Sequence, residues 1–171
     1  MDIRPPEAAH ATADRRITAL YQAHALSLTR LALLMLGDPD AAQDVVQEAF
    51  LGLYRRWDKL ASADAAPAYL RASVLNGCRT VLRQRSRPTV LAAGRTLESA
   101  EAATMHTEEQ RAVLATIRRL PARQREALVL RYYLDMTEDQ AARAMKVSRG
   151  TVKSATSRAI AAVGRMLKEG S

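Results

Sequence analysis

The sequence predicts an all-α protein made of two small helical domains joined by a flexible linker. Nearly every long segment of the 171-residue chain places apolar residues three or four positions apart, which is the spacing of one helix face. No segment alternates Val, Ile or Thr with polar residues, as a half-buried strand would. With 48% hydrophobic residues the chain can build small cores, but it is too short for large multidomain machinery.

Two predicted helices occupy the first part of the chain. One spans about Asp14–Leu36 and ends at Gly37. Asp38 is a typical N-cap with Pro39 at the first helical position, and the second helix extends from there to about Trp57. The apolar stripe that this helix is expected to bury consists of Ala42, Val45, Val46, Ala49, Phe50, Leu53, Tyr54 and Trp57.

A third helix is predicted to start near Pro67 and to end by Arg87. Pro88 sets this limit, because a proline disfavours helical geometry in the residue before it. Residues 88–107 are small and polar, with few large apolar side chains and no clear period. This composition is typical of a linker.

The C-terminal part is predicted to contain a helix-turn-helix. Helices over about 108–119 and 121–133 precede it. The segment Thr137–Gln140 fits a capping box, and Ser148 is a good N-cap for a last helix that ends near Lys168. Small apolar residues would let the two helices cross closely. They are Ala141, Ala142, Met145, Val147, Val152, Ala155, Ala159 and Ile160. The turn has Lys146 where such motifs usually place glycine.

Positive charge is concentrated in the same part of the chain. Residues 108–171 hold 13 Lys and Arg against 7 Asp and Glu, a net charge of +6 in a protein whose total is +8. Such an excess favours a polyanionic partner, although a basic helix packed on its neighbour gives the same count. Aromatic residues make up 4%, so we predict that a helix, not a stacking platform, contacts DNA. The candidate residues on the last helix are Arg149, Thr151, Lys153, Ser154, Ser157 and Arg158.

Two further polar stripes lie on the second and third helices. The stripe on the second helix is acidic, contains a leucine, and comprises Asp40, Asp44, Gln47, Glu48, Leu51 and Arg55. Polar groups around an apolar anchor are typical of a protein interface, and a plain solvated face is the alternative. The stripe on the third helix could hold a DNA strand and comprises Tyr69, Ser73, Asn76, Thr80, Arg83 and Arg87. Arg83, Arg85 and Arg87 would contact phosphates.

Four motifs stand in a fixed order along the chain. They are Asp40-Ala-Ala-Gln-Asp-Val-Val-Gln-Glu-Ala-Phe50, Tyr69-Leu-Arg-Ala-Ser-Val-Leu-Asn76, Leu120-Pro-Ala-Arg-Gln-Arg-Glu-Ala-Leu-Val-Leu-Arg-Tyr-Tyr133, and Ser148-Arg-Gly-Thr-Val-Lys-Ser154 with Ser157-Arg158-Ala159. In order and spacing they resemble a bacterial extracytoplasmic-function sigma factor, most of all the actinobacterial SigE-like branch. Four motifs in register are more specific than one helix-turn-helix.

The resemblance implies a subunit that binds core RNA polymerase and directs promoter-specific initiation. Region two would span about 14–87, the linker 88–107, and region four 108–168. In the family, region two docks on the clamp helices of the beta-prime subunit, which implies Asp44, Gln47, Glu48 and Leu51 as docking residues.

The resemblance also assigns the two DNA-facing stripes. The third-helix stripe would capture flipped bases of the minus-ten element, and the last helix would read the minus-thirty-five element. Region four of the family also meets the beta flap of polymerase, and members are often held by an anti-sigma protein. We expect a monomer that is cytoplasmic, and nucleoid-associated when bound to polymerase.

Two other classes of function are weighed against this interpretation. A stand-alone helix-turn-helix regulator would dimerise through its N-terminal domain and bind duplex DNA by itself. An enzyme is the poorest interpretation, because His10, His24 and His106 lack ligand spacing and no glycine-rich phosphate loop occurs. We therefore expect no catalysis, no metal and no cofactor.

The sequence also indicates an intracellular protein. The lone Cys78 can form no internal disulfide, which suits a reducing cytosol. The N-terminus has no apolar signal core, and apolar stretches such as 31–36 are far shorter than the roughly 18 residues of a membrane span. We therefore expect no membrane association.

Overall fold

The structure is a computed structural model that describes residues 5–86 and 107–170. In these two ranges it contains helices and no strand, which confirms the predicted all-α class. The α-helices are α1 (Pro5–Leu36), α2 (Pro39–Arg56), α3 (Ala66–Arg85), α4 (Glu108–Arg118), α5 (Ala122–Leu128), α6 (Glu138–Met145) and α7 (Arg149–Glu169). Of the predicted linker, all but Thr107 lies outside the described residues.

The start of α1 differs from the prediction. The helix begins at Pro5, nine residues before Asp14. A proline is tolerated in the first turn of a helix, and the alanine-rich segment 8–13 has high helix propensity without an apolar stripe. Hydrophobic periodicity therefore could not detect this part of the helix.

The junction between α1 and α2 is formed by local capping, as predicted. Gly37 has φ +67°, a left-handed conformation that glycine adopts at low cost. Asp38 is the N-cap of α2, and its carboxylate accepts hydrogen bonds from the backbone N–H groups of Asp40 and Ala41, both at 3.1 Å. The predicted buried stripe of α2 is confirmed except at Tyr54, which is 51% exposed, and Trp57, which is half-buried.

Helices α1, α2 and α3 form the N-terminal unit. Its centre holds fully buried residues from all three helices, including Leu31, Met35, Leu53, Leu70 and Val74. By length and hydropathy alone, the segment Ala11–Leu36 of α1 could also cross a membrane. A helix that packs in a protein core passes the same test, and α1 contributes its buried face to this core.

Helices α4 to α7 form the C-terminal unit, which contains the predicted helix-turn-helix in α6 and α7. The capping box of Thr137 and Gln140 and the N-cap Ser148 are both present. Lys146, between α6 and α7, has φ +54°, the left-handed conformation that glycine usually supplies in this turn. Ile160, predicted to pack between the helices, is instead exposed. The chain also forms a π-helical turn, Val129–Tyr133, which the sequence did not reveal.

The two units pack against each other in a closed arrangement. One continuous cluster of buried residues includes Leu28 and Met35 of α1 together with Ala127 of α5 and Leu130 of the π turn. The N-terminal and C-terminal helices therefore share an apolar core.

Candidate functional site

The outer face of α2 is exposed along its whole length. All the residues of the predicted acidic stripe, Asp40, Asp44, Gln47, Glu48, Leu51 and Arg55, are exposed. Leu51 keeps 49% of its surface open to solvent, although the opposite side of the helix is buried in the core. Glu48 and Arg55 form an ion pair at 3.2 Å in which both side chains remain mostly exposed. The arrangement is an apolar anchor within a polar ring, as at many protein interfaces.

Two aromatic residues border this face. Tyr54 lies on α2, and Tyr21 of α1 is half-exposed and contacts Phe50 edge to face, with the ring centroids 5.0 Å apart. The edge-to-face contact holds the Tyr21 ring against α2. Helical spacing had placed Tyr54 in the buried stripe of α2, so the sequence did not indicate that it is exposed.

The face of α3 carries a connected series of polar groups. Tyr69 and Ser73 are half-buried, whereas Asn76, Thr80 and Arg83 are exposed. The Thr80 hydroxyl donates to the backbone carbonyl of Asn76 at 3.0 Å, and the Arg83 guanidinium donates to Thr80 Oγ1 at 3.2 Å. Arg87 lies outside the described residues. The five described residues of the predicted stripe thus follow one helix face.

Arg85, predicted to contact phosphate, has partners within the N-terminal unit. Its guanidinium donates to the backbone carbonyl of Leu36 at 3.0 Å and to the Asp38 carboxylate at 2.8 Å. The end of α1 presents unpaired carbonyls, and Asp38 is a nearby anion, so the arginine serves as a structural cap. Sequence spacing could not reveal this role, because the partners lie 47 and 49 positions away.

The face of α7 has a buried side and an exposed side. Val152, Ala155 and Ala159 pack inward, which fixes the helix against its neighbours. All six predicted DNA-contacting residues, Arg149, Thr151, Lys153, Ser154, Ser157 and Arg158, are exposed. The last helix therefore presents hydroxyl, ammonium and guanidinium donors to solvent, which are groups suited to phosphates and base edges.

The N-terminus of α7 is internally paired. Arg149 contacts Glu138 at 2.9 Å and Asp139 at 4.0 Å, and its hydrogen bond holds the pKa of the Glu138 carboxyl below the ordinary value. The Thr151 and Ser148 hydroxyls lie 2.8 Å apart. Arg149 and Thr151 therefore already have partners within the C-terminal unit.

A shallow cavity of about 430 Å³ lies beside this face. It is lined in part by Lys153 and Ser157 of α7 and by Arg131 and Tyr132 of the π turn. Tyr132 is 66% exposed. No role was predicted for Arg131 or Tyr132. The one feature of the sequence that could have indicated a surface role is the position of the aromatic Tyr132 outside the buried side of its helix. Across the described ranges, no group of three or more His, Cys, Asp or Glu side chains is arranged to hold a metal ion.

A helix-turn-helix with an exposed donor face is typical of DNA-binding proteins, and here it is joined to a helical unit with a separate apolar and acidic face. Two family models match the chain, Sigma-70 region 2 over residues 20–88 and Sigma-70 region 4 over residues 110–163. The RNA polymerase sigma-E factor of Streptomyces avermitilis is 33% identical over 135 residues, covering 79% of this chain and 75% of the relative. The ECF RNA polymerase sigma factor SigM of Mycobacterium tuberculosis is 32% identical, covering 94% and 82%.

A solved structure shares the fold. The sigma factor RpoE in complex with the anti-sigma factor NepR from Bartonella quintana has a TM-score of 0.67. It is 21% identical, and the match covers 88% of this chain and 97% of that one.

This chain belongs to the sigma-70 family, among the extracytoplasmic-function sigma factors. It is a transcription initiation factor that binds core RNA polymerase and directs promoter-specific initiation. The comparisons therefore favour the sigma factor over the stand-alone regulator.

Proposed function

We propose that this sigma factor docks on the clamp helices of the polymerase beta-prime subunit through the outer face of α2. The observation that carries the proposal is the exposure of Leu51 among Asp44, Gln47 and Glu48. A half-exposed leucine surrounded by polar groups can bury its apolar surface only against a partner, while the polar groups fix its orientation. The residue types match those that the family uses for docking.

A charge at the centre of this face should prevent docking. We expect Leu51→Arg to weaken binding to core polymerase at least about 30-fold, the loss typical of an interface hot spot. The matched control is Ala19→Arg, which adds the same charge at an exposed position of α1, outside the proposed face. The measurement is competition with a labelled primary sigma factor for purified core polymerase. Equal displacement by both variants would remove the docking assignment.

The exposed face of α3 is proposed to capture non-template bases of the minus-ten element. Extruding a base from the duplex costs a few kcal/mol, so residues that hold the extruded base favour melting. The proposed residues are Tyr69, Ser73, Asn76, Thr80, Arg83 and Arg87. Asn76 and Thr80 offer hydrogen-bonding groups, and Arg83 offers a cation for phosphate.

The exposed face of α7 is proposed to read the minus-thirty-five element through Arg149, Thr151, Lys153, Ser154, Ser157 and Arg158. We expect Lys153→Ala with Arg158→Ala to reduce initiation while leaving affinity for core polymerase unchanged. Loss of a base contact should weaken the free energy of DNA binding by about 1 to 3 kcal/mol. Loss of each phosphate contact should reduce the slope of the logarithm of the binding constant against the logarithm of the salt concentration by about one. The control is Arg15→Ala with Arg16→Ala, which removes two exposed cations from α1, away from this face. Normal transcription by the double variant from a minus-thirty-five-dependent promoter would overturn the assignment.

The proposed domain division follows these surfaces. Region two spans 14–87, region four spans 108–168, and 88–107 connects them. The further partners that we propose are the beta flap of polymerase, which region four would meet, and an anti-sigma protein, and we propose that the protein without partners is a monomer. It is nucleoid-associated when bound to polymerase. Light scattering of the purified protein measures its molar mass in solution and so tests whether it is a monomer. A mass near twice 18.8 kDa would contradict this proposal.

A further inference from the structure

An open cleft lies between α3 and the C-terminal unit. Its volume is about 650 Å³, which is within the roughly 300 to 1,000 Å³ typical of small-molecule sites. One side is formed by the second half of α3, and the other by the start of α5 and by the turn between α6 and α7. The lining residues Asn76, Thr80 and Arg83 are exposed, so a small ligand can reach them from solvent.

Three exposed cations line this cleft from different elements. Arg83 belongs to α3, Arg123 to α5, and Lys146 to the turn between α6 and α7. Among the residues that the structure describes, none of the three forms an ion pair. Arg83 donates to the Thr80 hydroxyl at 3.2 Å, and Arg123 donates through Nη1 to the carbonyl of Met145 at 3.3 Å. Because a guanidinium has several N–H donors, most of them remain available to a ligand.

The carboxylate in the lining does not offset these cations. Glu126 is 4% exposed and accepts hydrogen bonds from Nε of Arg79, at 2.7 Å, and from Nη2 of the same side chain. Arg79 also donates to the amide oxygen of Asn76 at 2.9 Å, which leaves the Asn76 NH2 group as a donor. With four basic residues and one carboxylate, the lining has a net charge of +3. A cleft that is rich in donors and positively charged favours a polyanion.

The shape and the apolar part of the lining indicate what kind of polyanion fits. The cations come from both sides of one cavity, whereas a nucleic-acid strand needs a groove that follows its backbone. Half-buried Leu82 and buried Met145 add apolar surface to the lining. Arginine and lysine commonly bind phosphate groups, and apolar surface suits the flat base of a nucleotide. The lining therefore matches a nucleoside polyphosphate.

We propose that the cleft binds a nucleoside polyphosphate, with Arg83, Arg123 and Lys146 on its phosphates and with Leu82 and Met145 against its base. The site goes beyond the proposed DNA surfaces, because Arg123 and Lys146 belong to neither of them. A bound nucleotide would also occupy Arg83 and so compete with the minus-ten strand. Only this last consequence rests on the proposed minus-ten function of α3.

The first measurement is calorimetric titration of the purified protein with ATP and with GTP. Arg123→Gln with Lys146→Gln should weaken nucleotide binding at least about tenfold, because hydrogen bonds to charged groups are the stronger ones. The control is Arg15→Gln with Arg16→Gln, which removes two exposed cations from α1 outside the cleft and should leave the affinity unchanged. Absence of binding to wild type, or equal affinities of the two double variants, would overturn the proposal.

A variant with the opposite effect excludes misfolding as the cause of weaker binding. Ala122 is exposed and lines the cleft. Ala122→Arg adds a cation there and should tighten ATP binding about threefold to fivefold, the strength of an exposed ion pair. Ala122→Gln adds a long side chain without charge and should have no such effect. Equal affinities of these two variants would overturn the placement of the phosphates in this lining.

A series of ligands tests the class of ligand. ATP should bind more tightly than AMP, which has fewer phosphates, and more tightly than inorganic tripolyphosphate, which has no base. Equal binding of AMP would overturn the polyphosphate assignment, and equal binding of tripolyphosphate would overturn the contact with the base. Random single strands of about 12 nucleotides should depend on Arg123 and Lys146 less than ATP does. Equal dependence would indicate a nucleic-acid path instead of a nucleotide site.

Arg83→Ala separates this site from the proposed minus-ten surface. The variant should weaken ATP binding at least about fivefold, whether or not α3 holds promoter DNA. Promoter melting by core polymerase with this variant, measured as permanganate reactivity of unpaired thymines before nucleotides are added, tests the minus-ten role alone. Weaker ATP binding with normal melting would contradict the minus-ten role of Arg83 and leave the nucleotide site standing. Unchanged ATP binding would overturn the placement of Arg83 on the phosphates, whatever happens to melting.

Discussion

The close packing of α2 on α3 depends on Gly77. A Cβ atom at this position would lie 2.7 Å from Cγ1 of Val45, well inside ordinary carbon contact of about 3.5 to 4.0 Å. Val45 is buried, and a valine in a helix has one strongly preferred rotamer, so its methyl group cannot turn aside at low cost. Gly77→Ala must therefore displace α3 from α2.

The expected magnitude is a balance of two effects. Overpacking a core costs about 1 to 3 kcal/mol, whereas alanine in a helix interior is about 1 kcal/mol more favourable than glycine. We therefore expect Gly77→Ala to lower the free energy of unfolding by about 1 kcal/mol. For a protein of this size the midpoint of thermal unfolding would fall by about 2 to 4 °C.

A double-mutant cycle separates the clash from other effects. Val45→Ala removes both methyl groups near the new Cβ, so adding Gly77→Ala to Val45→Ala should stabilise the protein by up to about 1 kcal/mol. Gly164→Ala in α7 is the control for helix propensity, because nothing lies within 4 Å of its added Cβ. Thermal unfolding followed by circular dichroism measures all four variants. The reasoning fails if Gly77→Ala stabilises wild type as much as it stabilises Val45→Ala.

Two further predictions concern single residues. Lys146→Gly should raise the free energy of unfolding by about 1 kcal/mol, since it removes a non-glycine residue from a left-handed conformation; an unchanged urea midpoint would contradict this. Burial raises the pKa of the Cys78 thiol from 9.0 to about 12, so iodoacetamide at pH 8 should alkylate it only in the unfolded protein. Because the unfolded thiol ionises first, Cys78 should also make the protein less stable as the pH rises from about 9 towards 12. Cys78→Ala should lack this contribution, and an equal alkaline loss in both proteins would contradict it.

Structural features that depend on residues close together in the sequence were predicted well. Asp38, Thr137 and Ser148 cap their helices as predicted, because a cap depends on a side chain and backbone N–H groups two or three residues away. The exposed faces of α2 and α7 were also predictable, because helical spacing separates buried from exposed positions. A second capping box was not predicted; it joins Thr107, the last residue of the predicted linker, to Gln110 in the helix that follows.

Long-range polar contacts could not be predicted from spacing. Arg85 was assigned to phosphate, and in the structure it caps α1, whereas no role was predicted for Glu126, which is buried. Arg85 lies 49 and 47 positions from its partners Leu36 and Asp38, and Glu126 lies 47 positions from Arg79. The charge of a residue indicates that it needs a partner or solvent, but only the packing of the units decides which one it has.

Apolar packing joins α2 to α3 within the N-terminal unit, whereas hydrogen bonds and an ion pair add to the apolar contact between the units. This difference suits a protein whose two proposed functional faces lie on the neighbouring helices α2 and α3. Close packing at Gly77 and Val45 fixes α3 against α2, so polymerase bound to α2 would also orient the proposed DNA face of α3. Between the units, Arg125 and Tyr133 donate to backbone carbonyls that water can satisfy after separation. Loss of the ion pair of Glu126 would destabilise the protein most if the carboxylate remained buried without its cation. Once the units separate, however, water can hydrate this carboxylate as well. We therefore expect the α2–α3 pair to move as one body, whereas the position of α7 relative to it changes when polymerase or promoter DNA binds.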